Sequence, residues 1–154
     1  PAMLEALRSF RGLPHRCEQV LDADGVQWVN DSKATNVAAA IAAIEGLGAA
    51  RPLVLIAGGR DKGSDFRPLR GAAQRCCRAV LLIGEAAPQI RDAIGDAVTS
   101  ELVGDLASAV RRARDLAAPG TTVLLSPACA SFDQFASYEA RGDAFRDAVR
   151  ELTS

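Results

Sequence analysis

The stretch that decides the fold is Thr121-Thr-Val-Leu-Leu-Ser-Pro-Ala-Cys-Ala-Ser-Phe-Asp133. It begins with an apolar run typical of a buried strand, and the residues after Asp133 have the apolar spacing of a helix. Small residues and hydroxyls therefore lie where a strand gives way to a helix. In α/β proteins the free N–H groups of a helix's first turn face the ligand-binding crevice at such junctions. Ser131 and Asp133 are also ordinary capping residues, and taken alone the pattern favours a capped turn.

Outward from this stretch, strand and helix patterns alternate. Uninterrupted apolar runs such as Leu53-Val-Leu-Ile56 and Val80-Leu-Leu-Ile83 predict strands buried on both faces of a mostly parallel sheet. Right-handed crossovers then give a Rossmann-like, doubly wound α/β fold. Residues 18–22 and 26–30 flank Ala23-Asp24-Gly25, which predicts a hairpin at one edge of the sheet.

The remaining predicted elements follow in alternation. The helices are expected over 36–47, 66–78, 87–94, 106–117 and 133 to about 152, and the strands over 52–57, 79–83, 98–102 and 121–125. A further helix is predicted over 1–12. At 154 residues a single domain is expected, and the first residue, Pro1, suggests that it comes from a longer protein.

The composition is that of an ordinary globular domain. Lys and Arg number 18 against 19 Asp and Glu, so nothing favours a nucleic acid or a membrane as partner. No apolar run approaches the roughly 20 residues that cross a bilayer, and a cytoplasmic location is expected. The four cysteines lack metal-binding spacing, and free thiols are expected.

Three loops carry the candidate chemistry, and the first is Asn30-Asp-Ser-Lys-Ala-Thr-Asn36. Thr35 is a candidate N-cap, so that first-turn amides would attract an anion near Lys33 and Thr35. Asp31 is a candidate for hydrogen bonding ribose hydroxyls, as acidic residues beyond a strand do in nucleotide sites. An Asx turn with a solvated lysine fits this segment equally well.

The second loop is Ala57-Gly-Gly-Arg-Asp-Lys-Gly63, and the third is 126–141. Glycines let the backbone turn sharply and approach a ligand, and Lys62 offers a compact cation. The phosphate-binding pattern G-x-x-x-x-G-K-[ST] occurs nowhere in the chain. The third loop contains Cys129, but the only histidine, His15, is over a hundred residues away in sequence, so a Cys/His pair is not indicated.

Together the three loops resemble the C-terminal domain of the Mur ligases. The resemblance extends from Leu13-Pro-His-Arg16 through Asp31-Ser-Lys-Ala-Thr-Asn36, Gly58-Gly-Arg-Asp-Lys-Gly63 and Ser126-Pro-Ala-Cys-Ala-Ser-Phe-Asp133 to Glu139-Ala-Arg-Gly-Asp143. It is closest to the member of the family that adds D-glutamate. The UDP-sugar domain and the ATP-binding P-loop domain of the family are absent from this chain.

The resemblance implies a ligase of peptidoglycan precursor synthesis that uses ATP and Mg²⁺. Enzymes of this family activate a carboxylate as an acyl phosphate, which an amine attacks to give an amide, ADP and phosphate. Here the carboxylate would belong to UDP-N-acetylmuramoyl-L-alanine and the amine to D-glutamate. The metal ligands would lie upstream, so no metal ligand is expected in this chain, and the chain alone is expected to be inactive.

By the same resemblance, the site residues fall into two groups. Asp31 would hold the ribose of ATP, while Arg16 and Lys33 would face its phosphates as catalytic cations. The two carboxylates of D-glutamate would be bound by Thr35 with Lys62 and by Ser131 with the backbone near Phe132 and Tyr138. His15 could join the phosphate-facing group or be structural. Closure of the upstream domains would assemble the site.

Two alternatives stay open at this point. The first is a related enzyme, either a Mur ligase that adds another amino acid or a folylpolyglutamate ligase; the 126–133 run argues against both. The second is a non-catalytic Rossmann-like module that binds a metabolite or a partner. A P-loop in the upstream reading frame would exclude this second alternative.

Overall fold

The computed structural model describes residues 13–153, so the helix predicted over 1–12 lies outside the described residues. Within this range the strands are β1 (Glu18–Ala23), β2 (Val26–Asn30), β3 (Leu53–Gly58), β4 (Cys77–Ile83), β5 (Ser100–Gly104) and β6 (Thr122–Leu125). The helices are α1 (Val37–Gly48), α2 (Leu69–Cys76), α3 (Ala87–Ile94), α4 (Leu106–Leu116) and α5 (Tyr138–Glu151).

The strands form one sheet in the order β1-β2-β6-β3-β4-β5. The edge strand β1 is antiparallel to β2, and all other neighbours are parallel. The chain moves outward from β3 to β5 and then returns to place β6 between β2 and β3. The predicted doubly wound α/β fold with an edge hairpin is confirmed.

The core lies in two layers, one on each face of the sheet. In β3, Leu55 and Ala57 pack against helices α1 to α3, whereas Val54 and Ile56 pack against α4 and α5. Successive strand residues point to opposite faces, so a strand that is apolar at every position needs helices on both sides. The uninterrupted apolar runs in the sequence therefore reflect a sheet that is covered by helices on both faces.

The three candidate loops follow three adjacent parallel strands. β2 ends at Asn30, β3 at Gly58 and β6 at Leu125, and β6 lies between the other two. Because the carboxyl ends of parallel strands meet at one edge of a sheet, the fold brings the three loops together there.

Two predicted helices have wrong boundaries. The helix expected over 66–78 spans only Leu69–Cys76, because Pro68 precedes its first turn and Cys77 is extended at φ −105° and already belongs to β4. The last helix begins at Tyr138 rather than at 133, and its N-cap is Ser137, whose side chain accepts a hydrogen bond from the Ala140 N–H. Ser131 and Asp133 therefore do not cap this helix.

In the part of the chain that the structure describes, none of the helices combines the length and the apolar character needed to cross a membrane.

Candidate functional site

A cavity of about 590 Å³ opens beside the loop that follows β2. Four of the predicted site residues line it: Arg16, Asp31, Lys33 and Thr35. Small apolar residues of α1, including Ala39 and Ala43, complete its wall. The volume falls within the range of pockets that hold small ligands.

Asp31 is the fixed acceptor of this cavity. Only 5% of the residue is exposed; Oδ2 accepts a hydrogen bond of 2.8 Å from Ser126 Oγ, and Oδ1 accepts one of 3.1 Å from the Cys17 N–H. Burial raises the pKa of the Asp31 carboxyl, although the hydrogen bonds from Ser126 and Cys17 oppose the shift. The carboxylate is thus oriented before any ligand arrives, by one contact from the residue that follows β6 and one from the segment before β1.

Arg16 is presented by a short segment, 13–17, which we call the Arg16 loop. His15 has φ 63° and Cys17 has φ 45°, so two non-glycine residues flank Arg16 in the left-handed region. The Arg16 N–H donates to the Leu13 carbonyl at 3.0 Å, and the Lys33 N–H donates to the His15 carbonyl at 2.9 Å. The two cations of the cavity are therefore linked by a direct backbone hydrogen bond between their segments.

Thr35 was predicted as the N-cap of α1, and this prediction is wrong. The N-cap is Asn36, whose Oδ1 accepts a hydrogen bond of 2.8 Å from the Ala39 N–H. The extended backbone of Asn36, at φ −141°, leaves its short amide side chain placed to reach that N–H. Thr35 lies one residue earlier, half-buried in the cavity wall.

Ser131 opens a compact turn at the same sheet edge. Its carbonyl accepts hydrogen bonds from the N–H groups of Gln134 and Phe135. The Gln134 Nε2 donates to the Gly104 carbonyl at 2.8 Å, and Asp133 Oδ2 accepts from the Glu85 N–H at 3.0 Å. Side chains thus tie the turn to the ends of β4 and β5, a role for Asp133 that replaces the predicted cap.

The Ser131 hydroxyl is buried without a protein partner. The residue is 2% exposed, and among the buried side-chain polar atoms of residues 13–153 its Oγ is the one that makes no hydrogen bond. Buried hydroxyls are almost always hydrogen-bonded. The neighbouring Phe132 side chain is 61% exposed. A polar ligand group at this turn would satisfy the hydroxyl.

Arg141 joins the loop after β2 to the loop after β6. Arg141 is 1% exposed. Its Nε donates to the Ser32 hydroxyl at 2.9 Å, and its NH2 donates to the Ser32 carbonyl at 2.8 Å. Its NH1 donates to the Cys129 carbonyl at 3.0 Å. Ser32 Oγ in turn donates to the Tyr138 carbonyl at 2.7 Å. Burial lowers the pKa of Arg141 to about 10.

The role of Arg141 was not predicted, although the sequence carried a signal. Arg141, Phe145 and Val149 recur every four residues and are all buried in α5. Helical spacing therefore places the arginine on the apolar face. A charged residue at a core position of a helix is expected to have specific partners.

Lys62 lies in the more open second loop. The residue is exposed, and the loop is held by Asp61 Oδ1, which accepts from the N–H groups of Gly63 and Ser64 at 2.9 Å. Lys62 is not among the residues that line the 590 Å³ cavity, whereas Thr35 is. The two residues predicted to share one carboxylate thus lie on loops that follow β2 and β3, on either side of β6, and only Thr35 lines this cavity.

The second and third loops are joined by their backbones. The Arg60 N–H donates to the Ala130 carbonyl at 2.8 Å. Gly59 has φ 140°, and a Cβ there would collide with the Ala130 carbonyl oxygen. This position therefore requires glycine, and the close approach brings the Lys62 loop to the segment that carries Ser131.

The buried Cys129 thiol of the third loop is not an activated nucleophile. The described chain contains four free cysteines, and burial raises the pKa of the Cys129 thiol to about 12, which keeps it protonated. Over residues 13–153, no group of three His, Cys, Asp or Glu side chains could hold a metal ion.

Comparison with known sequences gives close relatives. The chain is 60% identical over 153 residues to a UDP-N-acetylmuramoylalanine–D-glutamate ligase of Pseudomonas fluorescens Pf-5, and 53% identical over 151 residues to the protein of that name from Marinobacter nauticus. These alignments cover 98% and 97% of the chain but 34% of each relative. The chain thus spans about a third of the length of the curated relatives that it matches.

Solved structures share the fold at low identity. A murein peptide ligase from Psychrobacter arcticus aligns with a TM-score of 0.63 at 16% identity, over 94% of this chain and 32% of that one. A folylpolyglutamate synthase from Thermotoga maritima aligns with a TM-score of 0.59 at 18% identity. The alignment covers 98% of this chain and 32% of that one. The family model "Mur ligase, glutamate ligase domain" matches residues 15–129. With three quarters of its length matched in this way, the chain belongs to the Mur ligase family, within that glutamate ligase domain.

Proposed function

We propose that this chain is the C-terminal domain of a UDP-N-acetylmuramoylalanine–D-glutamate ligase, a cytoplasmic enzyme of peptidoglycan precursor synthesis. The observation that carries the proposal is the meeting of two unlike subsites at one sheet edge. One is a cavity with two cations and a fixed carboxylate; the other is a turn with a buried, partnerless hydroxyl. The names of relatives that are 50% identical or more support it.

The cavity suits part of ATP. Asp31 is held by Ser126 and Cys17, and its remaining lone pairs could accept hydrogen bonds from ribose hydroxyls. Arg16 and Lys33 line the same cavity and would face the phosphates. Their positive charge would help most as negative charge develops during formation of the acyl phosphate, which makes them the catalytic residues of this proposal.

The second subsite suits D-glutamate. The two carboxylates of D-glutamate need two separate anion sites, so that only the amine faces the acyl phosphate. We assign one carboxylate to Lys62 with Thr35, and the other to Ser131 with the backbone near Phe132 and Tyr138. The partnerless Ser131 hydroxyl supports this assignment, because it could donate a hydrogen bond to a carboxylate oxygen.

The rest of the reaction would lie on other parts of the enzyme. The chain has no P-loop sequence, and its described residues have no metal-binding cluster. Residues outside it would hold Mg²⁺, which neutralises phosphate charge during transfer. They would also bind UDP-N-acetylmuramoyl-L-alanine. Domain closure would then bring the acyl phosphate to the amine of D-glutamate.

Competition between amino acids tests the proposal. The protein expressed from its whole reading frame should release phosphate when given ATP, Mg²⁺, UDP-N-acetylmuramoyl-L-alanine and D-glutamate. A competing amino acid is then added in equal amount, either a diamino acid such as lysine or a mono-carboxylate. D-glutamate should still be the amino acid incorporated, as the mass of the product would show. Preference for a diamine or a mono-carboxylate would contradict the substrate assignment while leaving the family unchanged.

A further inference from the structure

A second hydrogen-bonded network links α5 to the Arg16 loop. Its outer part is an ion pair between Glu18, the first residue of β1, and Arg146 of α5. Both side chains are only about a fifth exposed, at 21% and 22%. Arg146 NH2 donates to both Glu18 oxygens at 2.7 Å, and Nε donates to Oε1 at 3.1 Å. Neither residue lines the 590 Å³ cavity, and the proposed reaction does not use them.

The inner part of the network reaches the loop itself. Glu18 Oε1 also accepts hydrogen bonds from the His15 N–H at 3.3 Å and from Asn30 Nδ2 at 3.1 Å. Burial alone would raise the pKa of Glu18, but these bonds and those from Arg146 hold it below its ordinary value. One carboxylate therefore connects α5, β2 and the backbone of the Arg16 loop.

The imidazole of His15 is held in one orientation by the same network. Asn30 Oδ1 accepts from the Ser32 N–H at 3.1 Å, which fixes the amide so that Nδ2 points to His15 Nδ1 at 2.9 Å. An amide nitrogen can only donate, so Nδ1 is the acceptor and the proton resides on Nε2, 3.7 Å from Asp143 Oδ1. His15 is thus buried and committed to structural contacts.

Close packing on α5 completes the restraint. A Cβ at Gly142 would overlap His15 Nδ1, so the missing side chain lets the ring lie directly against the helix. Restraint is needed here because His15 and Cys17 both have left-handed backbones, which non-glycine residues adopt at a cost in free energy.

We propose that Glu18 and Arg146 are positioning residues that hold Arg16 in the cavity through the backbone and ring of His15. The inference rests on the proposed function for its kinetic consequence, because Arg16 is assigned there to the phosphates of ATP. Arg146 does not line the cavity. It acts through Glu18, which fixes the His15 N–H and the Asn30 amide on either side of the loop.

Kinetics of the whole enzyme test this role. Arg146→Met and Glu18→Gln should each lower kcat/KM for ATP about tenfold to hundredfold, the range expected for a small misplacement of a catalytic group, while KM for D-glutamate stays within about twofold. Arg150→Met, at an exposed site on the same helix, is the matched control and should change neither value. The double variant Arg16→Ala with Arg146→Met should be no slower than Arg16→Ala alone.

The ring of His15 gives a readout that does not depend on the reaction. His15 is the only histidine of this chain, so ¹⁵N spectra of the 154-residue chain report its tautomer without ambiguity. The Nε2–H form should dominate in the natural sequence and in Arg150→Met, and should give way to a mixture in Arg146→Met and Glu18→Gln. Variants that fold, keep the Nε2–H form and keep kcat/KM for ATP would overturn the inference.

The two proposals fail in different ways. If the natural enzyme does not join D-glutamate, the proposed function fails, while the tautomer measurement still decides whether the network sets His15. If the natural enzyme is active and the effects of Arg16→Ala and Arg146→Met simply multiply, the positioning role fails and the proposed function stands.

Discussion

The loops that follow β2 and β3 differ in how firmly they are held. In the first, Asp31 is 5% exposed and bound by Ser126 and Cys17, and the backbone of Lys33 is bound to that of His15. In the second, Lys62 is exposed, and the turn around it is held by Asp61 from within the loop. The two loops follow strands separated only by β6.

The difference indicates which half of the site is formed in advance. The Asp31 carboxylate is held in place and the backbones of Arg16 and Lys33 are hydrogen-bonded, while both cationic side chains are exposed. A ligand in this cavity would therefore meet one fixed acceptor and two cations on anchored backbones. The Lys62 loop is joined to the third loop by the backbone hydrogen bond from Arg60 to Ala130, but Lys62 and Phe132 are themselves exposed. Exposed residues at this end of the site are compatible with an enzyme that closes around its last substrate.

We call the loop after β2, with Asp31 and Lys33, the firm half of the site, and the loop after β3, with Lys62, the open half. The largest expected effect concerns Arg141, which ties the firm half to the Ser131 turn. Arg141→Met should lower the free energy of unfolding by about 3 kcal/mol or more, because the buried hydroxyl and carbonyl of Ser32 and the Cys129 carbonyl lose a charged donor. Urea unfolding of the 154-residue chain measures it. Arg150→Met is the control and should stay within about 0.5 kcal/mol. A loss below 1 kcal/mol would show that the loops do not depend on this link.

The next effect tests the firm half directly. Asp31→Ala in the whole enzyme should raise KM for ATP by an amount equivalent to about 1.5–3 kcal/mol, the worth of a hydrogen bond to a charged group. KM for D-glutamate should change less. Asp22→Ala, at an exposed site in β1, serves as the control. An unchanged KM for ATP would remove Asp31 from the nucleotide subsite.

A smaller effect depends on pH. The pKa of Glu18 is below its ordinary value of 4.5 in the folded chain, so its stabilising contribution is complete above that value and is lost as the pH falls through the folded-state pKa. Glu18→Gln should therefore cost about 1–2 kcal/mol near pH 7 and progressively less below pH 4.5. Chemical unfolding at several pH values measures the difference. A cost that stays constant down to pH 3 would contradict the assigned ion pair.

The smallest effect distinguishes two thiols. Burial raises the pKa of both thiols, to about 11 for Cys17 and about 12 for Cys129, so they differ in access: Cys17 is exposed and Cys129 is buried. A thiol reagent should modify Cys17 in the native chain and leave Cys129 intact until the chain unfolds, as mass spectrometry of digested protein would show. Early modification of Cys129 would mean that the third loop opens readily.

The fold could be predicted because it depends on local patterns. The apolar runs of β3 and β4 required a sheet covered on both faces, and Ala23-Asp24-Gly25 marked the hairpin. Boundaries were less certain: the helix expected from Asp133 starts at Tyr138, since Ser131 closes a turn with its carbonyl instead of capping with its hydroxyl. Several polar residues of this segment could serve as the N-cap of a helix, and tertiary contacts determine which one does.

The clustering of several motif residues could be predicted from the sequence, while their roles stay predictions. The motif residues Arg16, Asp31, Lys33 and Thr35 line one cavity. Asp31, Lys33 and Thr35 belong to the loop after β2, and a backbone hydrogen bond holds the Arg16 loop against it. The supporting residues were missed, since contacts such as Arg141 with Ser32 or Arg146 with Glu18 join positions more than a hundred residues apart. Spacing along a single sequence does not reveal such pairs.

The most direct test uses the only two lysines of the chain, Lys33 in the firm half and Lys62 in the open half. In the whole enzyme, Lys62→Ala should raise KM for D-glutamate by the equivalent of a few kcal/mol and leave KM for ATP within about twofold. Lys33→Ala should instead lower kcat with little change in KM for D-glutamate. If Lys62→Ala changed KM for ATP, or Lys33→Ala changed only KM for D-glutamate, the division into two subsites would be contradicted.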